Sequence, residues 1–392
     1  MPLHFSTTEL ADRRAAACRA MAARGLDAML IVKPESQFYL TGYDTFGYVY
    51  FQALLLTRSG QTALLTRAPD MRQARFTSDI EDIRIWVDAA GVRPVDHAIR
   101  LLADYGLVGK TIGVEWDSYA LPAKTGFQLA HALDAAVTPH ADASDLVDRL
   151  RLIKSPSEMA YVRRAAELVD AMMAAGIEAA GPGAFEGDIL AALQAAGYRG
   201  GGDDPANEQI LGSGPGALMC RYFTGRRHLD ARDQLTLEIA GVCRHYHAAL
   251  MRTISIGPPP PRQVAMHEAC VTALDAAQAA LRPGRPLGDV FEAHAAVLDD
   301  AGLAAARMNA CGYALGTTYA PNWMDAPTLS MFHRGNETLA APGMVFFIHI
   351  IAYDSESDER PGGLAMTSGA TVLVTADGAE RLTRTPTDLV VR

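Results

Sequence analysis

The chain has 392 residues, of which 49% are hydrophobic and 20% are charged, and its formal net charge at pH 7 is −10. This length suits two domains, and the composition is typical of a soluble globular protein. The negative charge, without a basic stripe interleaved with aromatic residues, disfavours nucleic acids and anionic membranes as partners. Five scattered cysteines without Cys-x-x-Cys spacing, no signal-peptide pattern and no membrane-length apolar run predict a reduced, cytoplasmic protein.

The first part of the chain predicts a small α/β domain over residues 1–143. Apolar periodicity and turn signals define its elements. In chain order they are a helix at 10–24 capped by Thr7 or Thr8, a buried strand at 28–32, an aromatic-rich loop at 35–52, a hairpin of 53–56 and 62–65 around Ser59-Gly60, and a late strand at 112–114.

A second domain is expected over residues 144–392. Near its start, Ser155 precedes Glu158 at the spacing of a helix capping box. The elements predicted after it are helices at 158–180, 186–196, 266–281 and 287–301, a strand and loop at 209–222, and strands at 343–351 and 370–375.

The most informative stretch is 235–257, LTLEIAGVCRHYHAALMRTISIG. Its apolar residues predict two strands, and Arg244 to His247 would form a tight polar corner between them. Polar groups crowded at such a corner are either hydrogen-bonded or used in chemistry. An exposed turn whose histidines have no function remains the alternative.

This stretch resembles the central hairpin of the creatinase/aminopeptidase superfamily, the pita-bread fold, and within it the bacterial ectoine hydrolases. The run Arg151-x-x-Lys154-Ser155-Pro156-x-Glu158 also resembles the passage between the two domains of that family. The hairpin residues that carry the resemblance are Glu238, Ile239, Ala240, Gly241, Tyr246, His247, Ala248, Arg252 and Thr253. The resemblance implies a two-domain α/β (α+β) architecture, with a creatinase-like domain followed by a pita-bread domain.

Peptidases of this superfamily bind two metal ions through two aspartates, a histidine and two glutamates. By resemblance, those positions fall here on Glu238, Ala249, Ala320 or Tyr319, His349, and a residue near Thr367 or Ala370. One carboxylate remains, which is too few ligands for two ions. The resemblance therefore implies the branch that works without a metal, with no cofactor. A single ion held by Glu238 and His349 is the less favoured alternative.

Creatinase and ectoine hydrolase are the members expected to act without a metal. The creatinase histidine that serves as acid and base falls here on Arg221, and its two substrate-holding glutamates fall on Met251 and His349. These departures make creatine an improbable substrate. Arg221 and His349 also depart from the ectoine hydrolases.

The remaining groups predict a catalytic set of Glu238, His247 and His349. Glu238, inside an apolar strand, would act as nucleophile or general base on an electron-poor carbon, and the histidines would move protons. A structural Glu238–Arg221 ion pair and hydrogen-bonded core histidines are the alternatives. The predicted substrate-binding residues are Arg221, Tyr222, His245, Tyr313, Trp323 and Asp325.

The sequence thus predicts a metal-independent hydrolase of a C–N bond in a small cyclic amidine or amide. The alternatives are a metal-dependent Xaa-Pro peptidase and a lyase, isomerase or non-catalytic relative. By resemblance, the protein is a homodimer in which Tyr43, Phe46 and Tyr48 of one subunit contact the substrate site of the other. An aromatic patch that only forms the dimer interface is the alternative reading of these three residues.

Overall fold

A computed structural model describes residues 3–219 and 226–392. The chain forms two compact units, Met1–Arg151 and Leu152–Arg392. The sequence placed this boundary after residue 143, whereas the helix Ser144–Arg151 belongs to the first unit. None of the helices in the described part of the chain is both long and apolar enough to cross a bilayer.

The first unit is a mixed sheet with helices. Its helices are α1 (Thr7–Ala23), α2 (Pro34–Thr41), α3 (Met71–Thr77), α4 (Pro94–Asp104), α5 (Ala123–Ala135) and α6 (Ser144–Arg151), and short 3-10 turns cover Gly47–Val49 and Ala68–Asp70. Its strands are β1 (Ala28–Ile31), β2 (Ala53–Thr57), β3 (Thr62–Arg67), β4 (Asp82–Trp86), β5 (Ile112–Val114) and β6 (His140–Asp142). The strand order is β4-β3-β2-β1-β5-β6. The predicted hairpin is confirmed as the antiparallel pair β2–β3.

Two details of the first unit differ from the sequence prediction. The expected loop at 35–52 contains most of helix α2 (Pro34–Thr41), whose C-cap is Gly42 with a φ of 79°. Nearly all of α2 is buried, so it has no amphipathic stripe for a sequence pattern to reveal. Helix α1 is capped by Ser6, whose hydroxyl accepts from the Glu9 amide, rather than by Thr7 or Thr8.

The second unit is built on a larger antiparallel sheet. Its helices are α7 (Pro156–Ala179), α8 (Glu186–Arg199), α9 (Pro261–Ala280), α10 (Leu287–Asp300) and α11 (Pro327–Ser330), and a 3-10 turn covers Gly214–Leu218. Its strands are β7 (Ile210–Ser213), β8 (Asp233–Cys243), β9 (Tyr246–Ile256), β10 (Gly312–Ala314), β11 (Val345–Asp354), β12 (Leu364–Val374), β13 (Ala379–Arg381) and β14 (Val390–Val391). The central order is β10-β11-β12-β9-β8-β7, with β13 beside β12 and β14 beside β9.

The two faces of this sheet have different roles because side chains alternate along each strand. On β11 and β12, one face carries apolar residues such as Phe346, Ile348 and Val372, which share a core with Met266 and Phe291 of α9 and α10. The other face carries Glu238 and His349, and it forms part of the cavity described below.

The predicted hairpin at 235–257 is confirmed, and it consists of β8 and β9 paired from Asp233 with Ile256 to Cys243 with Tyr246. Arg244 and His245 form its two-residue turn with φ values of 52° and 67°. Positive φ at both turn residues matches the strand twist, although glycine or asparagine usually occupies such positions. The predicted capping box of Ser155 and Glu158 is also confirmed.

Candidate active site

A cavity of about 560 Å³ lies on the polar face of the second unit's sheet. Strands β7, β8, β10 and β11 contribute to it, and loops between the strands complete its walls. The residues that line it are Asn207, Ile210, Glu238, Met308, Asn309, Ala310, Tyr313, Asn322, Trp323, Met324, Met331, His333, His349 and Ile351. This volume suits a small metabolite.

Strand register places Glu238 and His349 in one row across the sheet. Glu238 is opposite Met251, Met251 is opposite Gly369, and Gly369 is opposite His349. Directly opposed residues of antiparallel strands project to the same face. The sheet therefore brings together two of the three residues predicted to be catalytic, although 111 positions separate them in the chain.

A chain of hydrogen bonds leads from the cavity wall to Glu238. The Trp323 indole N–H donates to the Tyr313 hydroxyl oxygen at 2.8 Å, and the Tyr313 hydroxyl donates to Oε1 of Glu238 at 3.4 Å. Because an indole N–H can only donate, the Tyr313 proton is directed at the carboxylate. Glu238 and Trp323 are 7% and 2% exposed. The hydrogen bond from Tyr313 holds the Glu238 carboxyl group in one orientation at the cavity wall.

His349 lies in a half-buried position beside two aromatic rings. Its ring centroid is 5.3 Å from that of Tyr313 and 5.3 Å from that of Phe347. Its backbone N–H donates to the Cys311 carbonyl, which fixes strand β11 in this region. The imidazole is thus positioned by packing at the wall of the cavity, where it can exchange a proton with a bound molecule.

Several cavity residues were missed by the sequence reasoning. They are amide, thioether and imidazole side chains from four loops, namely Asn207, Met308, Asn309, Asn322, Met324, Met331 and His333. Isolated asparagines and methionines in loops have no periodic signal. The one available hint was that Asn322 and Met324 flank Trp323, which the sequence predicted to bind substrate.

His247 shares the sheet face of Glu238 but lies nearer the hairpin turn, opposite Val242, and it is not among the described residues that line the cavity. It is 1% exposed. Burial lowers the pKa of its imidazole to about 4, so the ring is neutral near pH 7. Its nitrogens are engaged with Ala206, His245 and Thr318. These contacts separate His247 from the catalytic role that the sequence suggested.

Asp325 and His245 also lie outside the lining of the cavity. Asp325 is 0% exposed and forms an ion pair with Lys154, whose Nζ is 3.2 Å from Oδ2. The predicted substrate contact at Asp325 is therefore replaced by a buried pair with the lysine of the interdomain run. The His245 ring stacks on Tyr319 with centroids 4.2 Å apart.

The remaining predicted site residues are Arg221 and Tyr222, which lie outside the described residues, and three aromatic residues of the first unit. Tyr43 is 1% exposed, and its hydroxyl donates to Gln52 at 3.2 Å inside the core of that unit. Burial raises the pKa of this phenol to about 12. Tyr43 is therefore not available to a second subunit. Phe46 is 78% exposed, and Tyr48 is half-buried.

Comparison with known protein families decides the relationship. The model described as metallopeptidase family M24 matches residues 160–376, and the creatinase/prolidase N-terminal domain matches residues 13–153. The chain belongs to family M24. The resemblance to the creatinase/pita-bread superfamily and the predicted α/β fold class are confirmed.

This M24 chain is similar along its full length to proteins with different names. It is 30% identical to an ectoine hydrolase of Halomonas elongata, covering 100% of this chain and 99% of that protein. It is 29% identical to a probable dipeptidase PepE of Mycobacterium tuberculosis, covering 99% and 98%. The crystal structure of dipeptidase PepE from Mycobacterium ulcerans superposes with a TM-score of 0.83 at 27% identity, covering 99% of each chain. The coarser prediction of an M24-family hydrolase is confirmed.

The metal ions that the family name implies do not fit the side chains described here. In the described part of the chain, no group of three or more His, Cys, Asp or Glu side chains is arranged to hold a metal ion. Along the row of Glu238, the position opposite His349 is Gly369, which has no side chain, and the neighbouring position on β9 is Ala249. Of the two positions that the sequence suggested for the last glutamate, Ala370 belongs to the apolar core.

Proposed function

We propose that this M24 protein hydrolyses a C–N bond of a small cyclic amidine or amide, as in the ring opening of ectoine, without a metal ion in the chemistry. The observation that carries this proposal is the position of Glu238. It is the one carboxylate among the described residues that line the cavity, and it receives a hydrogen bond from Tyr313. Full-length similarity to an ectoine hydrolase supports the proposal.

The lining of the cavity complements a small cation with polar edges. The Glu238 carboxylate balances the charge of an amidinium, and the aromatic faces of Tyr313 and Trp323 attract a cation by their quadrupoles. Asn309 and Asn322 offer amide donors and acceptors at the same wall. These groups together suit a small cationic ring that carries hydrogen-bonding edges.

The reaction is balanced with one water molecule and no redox step. Water adds to the amidinium carbon while a proton passes to Glu238, the ring C–N bond breaks, and the leaving nitrogen takes up a proton. The product is an acylated diamine. His349 is the second proton carrier at the cavity wall. Glu238 acts either as the base that activates water or as the nucleophile itself, and a trapped glutamyl intermediate would identify the second route.

Metal independence is part of the proposal. It is supported by Ala249 and Gly369, neither of which supplies a side-chain ligand atom that could share an ion with Glu238. A carboxylate and an imidazole on their own suit acid–base chemistry better than they suit a hydrolytic metal centre.

The experiment is hydrolysis of ectoine and of Xaa-Pro dipeptides by purified protein, before and after chelation, with metal content measured on the same sample. We expect ectoine to be opened by metal-free protein. The Glu238→Gln variant should lose about 10²- to 10⁴-fold in kcat, the range of general acid–base catalysis. The matched control is Glu337→Gln, at an exposed glutamate outside the cavity, which should retain full activity.

A second function is metal-dependent cleavage of dipeptides, Xaa-Pro dipeptides among them, and the similarity to proteins named dipeptidase PepE favours dipeptides as substrates. Stoichiometric metal with chelator-sensitive dipeptide cleavage would establish that function and refute the first. Metal-free protein that acts on neither substrate class would retain the fold and refute ring opening of ectoine. That result would favour the lyase, isomerase or non-catalytic alternative.

We also propose that the protein is a cytoplasmic homodimer. The first unit exposes Phe46, Val49 and Tyr50, which are 78%, 63% and 48% accessible, and neighbouring exposed apolar residues often mark interfaces. The described cysteines, Cys18, Cys243, Cys270 and Cys311, are free thiols, which suits a reducing compartment. Light scattering of the wild type and of Phe46→Ser tests the dimer. A monomer mass for both proteins would refute it.

A further inference from the structure

His247 joins two loops that form walls of the cavity. One loop, 200–209, connects α8 to β7 and carries Asn207, and the other, 315–326, connects β10 to α11 and carries Trp323. The Ala206 N–H donates to Nε2 of His247 at 3.0 Å. On the other side, the backbone N–H of His247 donates to the Gly316 carbonyl at 3.1 Å, and Thr318 Oγ1 lies 3.2 Å from the imidazole Nδ1.

We propose that His247 is a positioning residue that fixes the 200–209 and 315–326 loops against each other, and thereby sets the wall of the cavity made by Asn207 and Trp323. It acts through these loops and does not itself touch the substrate.

The tautomer of His247 follows from its partners. A backbone N–H can only donate, so Nε2 must accept from Ala206 and carries no proton. The His245 carbonyl can only accept, so Nδ1, at 2.8 Å from that oxygen, must carry the proton. Protonating Nε2 would remove the acceptor that holds Ala206. A role as general acid or base would therefore break the contacts that His247 makes.

Other hydrogen bonds of the 200–209 loop include anchors near each of its ends. Near the start, the Asp203 N–H donates to the Val242 carbonyl at 3.0 Å. At the end, the Gln209 side chain pairs with both backbone groups of Ala240, at 2.8 and 2.9 Å. Between these anchors, the Ala206 bond to His247 fixes the residue immediately before Asn207.

The middle of that loop is connected directly to the opposite wall. Oδ1 of Asn207 accepts from the Trp323 backbone N–H at 3.2 Å. Trp323 in turn donates its indole N–H to Tyr313, the donor to Glu238. A displacement of Ala206 therefore passes through Asn207 and Trp323 to the orientation of the Glu238 carboxylate.

The test uses two substitutions that preserve different halves of the imidazole. Gln at position 247 places an acceptor where Nε2 lies, and Asn places a donor where Nδ1 lies. The control is His294→Gln, at a buried histidine of α10 outside the cavity, whose Nδ1 is 3.1 Å from the Phe291 carbonyl and whose pKa burial also lowers to about 4. Amide hydrogen exchange of the full-length protein is measured in all variants.

We expect His247→Asn to speed exchange in residues 203–209 by about tenfold, the effect of losing one hydrogen bond, and to speed exchange at 315–324 as well. His247→Gln should restore most of this protection, and His294→Gln should leave both loops unchanged. Binding of acetamidinium, a minimal amidine cation, should weaken in His247→Asn more than in His247→Gln. In turnover assays KM should rise more than kcat falls.

Equal protection of both loops in His247→Asn and the wild type would overturn the proposal. A His247→Asn protein with normal loop exchange and normal acetamidinium binding but no turnover would also overturn it, because that pattern identifies a catalytic histidine. The exchange measurement needs no substrate. If the wild type does not hydrolyse ectoine but His247→Asn still opens the loops, the proposed function is refuted and the positioning role of His247 is retained.

Discussion

Replacing Asp325 by asparagine should unfold the second unit more easily without changing which substrates the protein accepts. The Lys154 and Asp325 side chains are 1% and 0% exposed, and their charged atoms are 3.2 Å apart. Asparagine keeps the size of the side chain and removes its charge. The Lys154 ammonium would then remain buried, with the Leu152 carbonyl at 3.3 Å as a neutral partner.

The expected loss is about 3–5 kcal/mol of unfolding free energy, the cost of removing one partner of a buried ion pair. Lys154→Met should cost a similar amount, because it leaves the Asp325 carboxylate buried. The double variant Lys154→Met/Asp325→Leu should cost less than the sum, because no unpaired charge remains. Gly316→Ala is an independent perturbation, since a Cβ there would collide with the Asp325 carboxylate.

The assay is urea unfolding followed by Trp323 fluorescence, in a background where Trp86 and Trp116 are replaced by phenylalanine. Trp323 then reports on the second unit alone, because the other two tryptophans belong to the first. The ratio of kcat/KM values for ectoine and a related amidine is measured in parallel on the variants that remain folded.

A stable Asp325→Asn protein, within about 1 kcal/mol of wild type, would refute this reasoning. If that protein also bound substrate poorly, Asp325 would be the substrate contact that the sequence first suggested.

Three further predictions concern titration and catalysis. The pKa of His247 is about 4 in the folded protein against an ordinary 6.5, so its contribution to the free energy of unfolding is complete above pH 6.5 and falls by about 3 kcal/mol as pH falls towards 4. Urea unfolding of His247→Gln at each pH should lack this decrease. Burial raises the pKa of Glu115 to about 7 from 4.5, although its Oε2 accepts from the Val32 and Lys33 amides at 3.0 and 2.8 Å. The contribution of Glu115 to the free energy of unfolding is therefore complete below pH 4.5 and is lost as pH rises through 7. Over that pH range, Glu115→Gln should become more stable relative to wild type by about 3 kcal/mol, and a stability difference that does not change with pH would contradict this. Glu238→Asp should retain less than about a tenth of wild-type kcat, because the shortened side chain withdraws the carboxylate from Tyr313; full activity would exclude Glu238 from the chemistry.

Much of the fold was predictable because its signals are local. The capping box at Ser155 and Glu158 joins residues three apart, and the β8–β9 hairpin joins strands separated by two residues. Helix α2 escaped prediction because burial on all sides removes the amphipathic pattern from which helices are recognised.

Most of the predicted residues that line the cavity lie on strands, and Trp323 is the exception in a loop. Glu238, His349 and Tyr313 lie on strands whose register follows from alternation and pairing, and all three line the cavity. Asn207 and Met331 lie in loops far apart in the chain, and no spacing rule links them. They line one cavity only because the folded chain brings these two loops together.

The amino-acid sequence shows which groups are available: one carboxylate in an apolar strand, two histidines at a hairpin corner, and Ala249 where the resemblance implied a metal ligand. The tertiary structure decided which of these groups share a cavity. His247 and Asp325 have the chemistry of site residues, yet one faces Ala206 and His245 and the other faces Lys154. The physical reason is that a polar side chain acquires its role from its partners, and those partners come from segments that only folding brings together.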